Sequence, residues 1–189
     1  MTIRGRKRKS GKRYPCGKRT RSETEKDIME TAIEARQRHY GVTARQARDE
    51  RLGTAFGRLA WQGTITSAQY EAGREFGDLY RRHHMVLGLP LPLPRSVAGL
   101  LVSGGVFGGS SGEPDADLVE RLRRRFDAAT DALDQCDRDH RFSPGRRPAL
   151  LIYRVICVDE DTTLWPAEDL GNLRVALNAL VRVFRLDRS

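Results

Sequence analysis

The residues of this sequence best suited to chemistry are cations. Between positions 1 and 22 stand Arg4, Arg6, Lys7, Arg8, Lys9, Lys12, Arg13, Lys18, Arg19 and Arg21, with no Asp or Glu among them. Gly5, Ser10, Gly11, Pro15 and Gly17 space these charges, so the segment can follow a phosphate backbone and release its counterions. If about five of them engage phosphates together, log affinity for duplex DNA falls with log salt at a slope of roughly −4 to −5. The ten are the candidate nucleic-acid-binding residues. Tyr14 adds one ring able to stack on a base. The competing readings are a tail that docks on some other acidic partner and a tail that is merely solvated.

The rest of the chain is electrically balanced. Its 34 Lys and Arg face 25 Asp and Glu over the full length, and removing residues 1–22 leaves 24 bases against 25 acids. A positive arm on a neutral body points to a polyanionic partner.

Other chemistries find little material. Cys136 and His140 are four apart, but no second pair of ligands stands at a zinc-site spacing, and the adjacent His83 and His84 point in different directions on a helix. There is no phosphate-cradling glycine loop and no nucleophile elbow. Asp115 and Asp117 suit the positive end of a helix dipole, and Asp159, Glu160 and Asp161 suit an exposed turn. No catalytic residue, metal site or cofactor is therefore expected, and the protein is read as a non-enzyme. Cys16, Cys136 and Cys157 are three and widely spaced, which fits free thiols in a reducing compartment. No run approaches the roughly 18 apolar residues of a membrane span, and no hydrophobic stretch follows the basic start. The expected location is cytoplasmic, with no membrane partner.

The elements that carry these residues read as helices, on a length sufficient for one domain or one and a half. Residues 1–22 bury nothing and are expected to be a disordered basic tail. Ser22 and Glu25 have capping-box spacing, and Ile28, Ala32, Ala35 and His39 make one helical stripe that ends at Gly41. A second helix is predicted from about Thr43 to Gln62, with Leu52, Ala55, Phe56 and Leu59 inward. A third, capped by Thr66 and Gln69, turns Ala72, Phe76, Leu79, Tyr80 and His83 inward. Gly53, Phe56, Gly57 and Leu59 recur twenty positions on as Gly73, Phe76, Gly77 and Leu79. Glycine in a helix costs about 1 kcal/mol relative to alanine. The repeat therefore predicts an antiparallel hairpin whose glycines let the two backbones approach closely.

Residues 87–113 contain Pro90, Pro92, Pro94 and a Gly/Ser-rich stretch, and read as a linker between a 23–86 helical region and a 114–189 helical region. Beyond it, Leu122, Phe126, Ala129, Leu133 and Cys136 alternate steps of four and three, the seam of a coiled coil, which serves either an intramolecular helix pair or a homo-oligomer. Ala149–Val158 reads as helix. The last helix, about Ala167–Phe184, buries Leu170, Leu173, Leu177, Leu180 and Phe184. The last two resemble a helix-turn-helix only poorly, since about eight residues and an acidic cluster join them. The predicted class is all-α: a helical hairpin core plus C-terminal helices.

The opening RGRKRKSGKR, the segment RQARDERLGTAFGRLAWQGTITSAQYEAG and the ending LWPAEDLGNLRVALNALVRVFRL together resemble small prophage-encoded proteins with a basic N-terminal tail. That resemblance implies a part in phage DNA packaging, as a small subunit, or in transcription regulation, and it transfers no functional residues. The resulting expectation is a nucleic-acid-binding accessory protein, DNA or RNA being open. The alternative is a protein-binding adaptor or oligomeric scaffold whose basic tail docks on an acidic partner.

Overall fold

A computed structural model describes residues 14–16, 18, 25–91, 115–139 and 145–185, and the protein is all-α. The chain divides into two compact units, residues 1–48 and 49–189.

In the first unit, helix α1 spans Glu25–Tyr40 and stops at Gly41, whose φ of 62° is a left-handed C-terminal turn that glycine takes without strain. Its half-buried side is Ala32, Ile33, Arg36 and Gln37, whereas Ala35 and His39, expected inward, are exposed. The helix is polar nearly all round, so its weak apolar pattern does not choose the face. A tether does: Arg36 Nη1 donates to the Ala47 carbonyl at 3.0 Å, over a fully buried Ala47 side chain. Ser22, the expected cap, lies outside the described residues.

The helix predicted from Thr43 to Gln62 is broken into pieces, because four side chains in twelve positions offer the backbone local partners. Thr43 and Gln46 cap one another and open a 3-10 turn at Gln46–Arg48. In the second unit, Asp49 accepts from the Arg51 amide at 3.0 Å and opens another turn at Glu50–Gly53. Thr54, in extended conformation, then accepts from the Gly57 amide at 3.0 Å, and only there does α2, Ala55–Trp61, begin. The first amide of α2 is bound by a residue remote in sequence: Asp159 Oδ1 accepts from the Ala55 amide at 2.7 Å.

The second unit continues with α3 (Ser67–Val86), α4 (Ala116–Asp139), α5 (Pro148–Ile152, running into a π-helical turn at Tyr153–Cys157) and α6 (Ala167–Phe184). The Thr66–Gln69 capping box forms as predicted, and Gln69 also reaches Asn178 on α6 at 2.8 Å. Helix α6 is the centre of the unit. It packs on α3, α4 and α5, and Leu173, Ala176, Leu177 and Leu180 are wholly buried. Each buried leucine contributes about 2 kcal/mol of transfer free energy. Residues 92–114 lie outside the described residues, yet α3 and α4, on either side of that stretch, pack together in one core.

The α4 seam and the repeated glycines both find partners within the chain. The seam on α4 is spent inside the chain: Ala129, Leu133 and Cys136 are buried, and Leu122 and Phe126 pack against the same core. The repeated glycines do allow close approach, but not to one another. A Cβ on Gly57 would stand 2.2 Å from the Arg51 carbonyl oxygen, and one on Gly73 would stand 2.2 Å from Cζ of Phe56. At Gly77 it would stand 2.8 Å from Ile156 Cγ2. The glycines are sockets for a preceding turn, a ring and the π-helical turn of α5.

Candidate nucleic-acid interface

Of the ten basic residues singled out above, Lys18 is described and exposed. Arg4, Arg6, Lys7, Arg8, Lys9, Lys12, Arg13, Arg19 and Arg21 lie outside the described residues. Tyr14, more than half exposed, donates its amide to the Lys18 carbonyl at 2.8 Å.

The boundary between the two units is also a boundary of charge. Residues 1–48 hold fifteen Lys or Arg and five Asp or Glu, a net charge of +10, while residues 49–189 hold nineteen Arg and twenty acids, a net −1. All five lysines, Lys7, Lys9, Lys12, Lys18 and Lys26, fall in the first unit.

Within the second unit several of the described arginines pair with its own carboxylates. Arg51 pairs with Asp49 at 2.7 Å, Arg125 with Glu75 at 2.7 Å, Arg58 with Asp161 at 3.6 Å and Arg81 with Asp78. Arg154 is held most firmly, by a two-pronged bond to Glu160 and by the Trp165 ring, whose centroid is 4.9 Å away. Arg174, exposed on the outer face of α6 with Asn178 and Arg182, donates to the Thr64 carbonyl at 2.7 Å. Arg182 and Arg185 are exposed at its end.

One concavity of the second unit is lined by arginines. Arg124 and Arg125 of α4 and Arg185 after α6 line a cleft of about 280 Å³ with Ala128, Val183 and Phe184. Reading α4 for its apolar seam alone misses it. The signal is present in the sequence as four arginines in five positions, Arg121, Arg123, Arg124 and Arg125.

No protein-family model matches the chain, and no curated protein and no solved structure is significantly similar to it.

Burial pushes the Cys157 thiol up to about 12 and raises that of Cys136, the opposite of what a nucleophilic or ligating thiolate needs. Among the described residues no three His, Cys, Asp or Glu side chains converge as metal ligands, and no helix is long and apolar enough to cross a membrane.

His83, expected on the inner side of α3, is buried and stacked on Phe126 with ring centroids 4.0 Å apart. Its Nδ1 has no hydrogen-bond partner in the structure, while His84 Nδ1 donates to the Tyr80 carbonyl at 3.0 Å. Desolvation, aided by His84 and Arg123 and opposed by Asp127, lowers the His83 pKa below its ordinary value. The unfolded chain therefore takes up a proton on this ring at a higher pH than the folded one. Stability from this group is level above about pH 6.5 and falls as the pH drops from there toward the folded pKa. The urea midpoint should thus decline between pH 7.5 and 5, and His83→Gln should remove part of the decline. An equal decline in the variant would show that His83 is not its source.

Proposed function

We propose that the protein is a non-enzymatic nucleic-acid-binding accessory protein: residues 1–22 supply electrostatic affinity, and the helical 49–189 unit supplies a neutral, rigid body. The observation that carries this reading is the separation of charge between the units, +10 against −1. A net-neutral unit has little long-range attraction for a polyanion. An excess confined to 48 residues has a great deal, and it acts without sequence preference through counterion release. The resemblance of the opening, middle and ending segments to prophage-encoded proteins sets the proposed context, phage DNA packaging or gene control.

The test is salt-titrated binding of the full chain to duplex DNA, single-stranded DNA and RNA. The expected result is a contribution from residues 1–22 of roughly −4 to −5 to the log–log slope on duplex DNA. Binding that ignores salt, or no binding to any of the three polymers, overturns the reading.

A further inference from the structure

We infer that the cleft between α4 and the end of α6 is a second phosphate-binding site, which seats a backbone phosphate of the same nucleic acid that residues 1–22 grip. The inference rests on the nucleic-acid reading above and adds a site on the body. The cleft lining contains three guanidinium groups and no carboxylate. Three like charges around one small concavity repel each other, and an anion between them relieves that repulsion. Guanidinium forks also match phosphate oxygens two at a time.

The existing partners of these arginines are easily exchanged. Arg124 meets Glu120 at 2.9 Å and Arg125 meets Glu75 at 2.7 Å, but the four side chains are between 44% and 76% exposed. Ion pairs so exposed contribute only about 0–1 kcal/mol. The Arg154–Glu160 pair, by contrast, is half-buried and braced by Trp165. The Arg125 guanidinium lies 6.0 Å from the Phe184 ring centroid, an aromatic wall that holds the planar group in place. Arg121, one turn earlier on the same flank of α4, adds to the local potential. The last carbonyls of α6 bring partial negative charge to one rim, about half an elementary charge, which three full charges outweigh.

The experiment uses the full chain and a 20-base-pair duplex. Arg124→Gln is combined with Arg185→Asn, because position 185 has a φ of 56° that asparagine tolerates. The neutral pair should make the wild-type salt slope shallower by about 1, close to the 0.9 expected for the one phosphate that is no longer neutralised. Arg124→Lys with Arg185→Lys, which keeps the charge, should restore most of it. If the neutral pair retains the wild-type slope, the cleft is not a phosphate site and the reading of residues 1–22 is untouched. A lysine pair as weak as the neutral pair also overturns the cleft, since charge is then not what the substitutions removed. Absence of salt-dependent binding in the wild type overturns both.

Discussion

Replacing Arg4, Arg6, Lys7, Arg8, Lys9, Lys12, Arg13, Lys18, Arg19 and Arg21 with glutamine should make the salt slope on duplex DNA shallower by about 4 to 5, the largest change any variant is expected to produce. In affinity, the segment's share is a roughly 500-fold fall between 50 and 200 mM salt when about five phosphates are engaged, and the neutralised chain should lack that share. The substitutions change charge and leave every core residue of the 49–189 unit in place. A chemical version needs no mutagenesis. Acetylation of the side-chain amines neutralises only the first unit, since no lysine follows Lys26, and leaves the arginines of the body charged. It should weaken binding in the same direction and by less. Neutralised protein that binds with the wild-type slope would place the affinity elsewhere and end the electrostatic-arm reading.

The second large effect is a pair of opposite signs. Gly73→Ala should destabilise the protein by about 2 kcal/mol, because its new Cβ would stand 2.2 Å from Cζ and 2.5 Å from Cε1 of Phe56 and 3.1 Å from Ile156 Cδ1. Phe56 is itself buried, so the ring has nowhere to retreat. Gly171→Ala, in α6, meets nothing within 4 Å and should stabilise by up to about 1 kcal/mol through helix propensity alone. Urea midpoints measured side by side would show the contrast. Gly73→Ala as stable as the wild type would mean that the socket for Phe56 is not a tight one. Combining Gly73→Ala with Phe56→Leu checks the cause, since two substitutions at one shared interface should cost less together than the sum of their separate effects.

Several elements were legible in the residues because their signals are local. The Thr66–Gln69 box works through atoms three residues apart, and the inner stripe of α3 with Ala72, Phe76, Leu79 and His83 follows helical period alone. The leucines of α6 were equally plain, being apolar enough to be buried in any arrangement. The broken helix after Thr43 was legible in part. Its helical period is plain in the residues, but the capping power of Asp49 and Thr54 competes with it, and the Asp159 carboxylate that binds the Ala55 amide comes from 104 positions away.

The candidate sites divide the same way. The charge asymmetry is a property of composition along the chain, so counting residues finds it before any fold is known. The arginine cleft depends on Arg185 meeting Arg124 and Arg125 across two helices about sixty positions apart, and counting cannot supply that.

Helix class, helical faces with strong apolar stripes, and the concentration of positive charge in the first residues were therefore determined by the sequence itself, because each depends on neighbours within a few turns of chain. Tertiary structure alone decided which partner each face met. The α4 seam met α3 and α6 of its own unit, and the glycine sockets received Phe56 and Ile156 rather than each other. The physical reason is that apolar burial is nondirectional: a stripe specifies that it must be covered, and only the packing of the whole unit specifies by what.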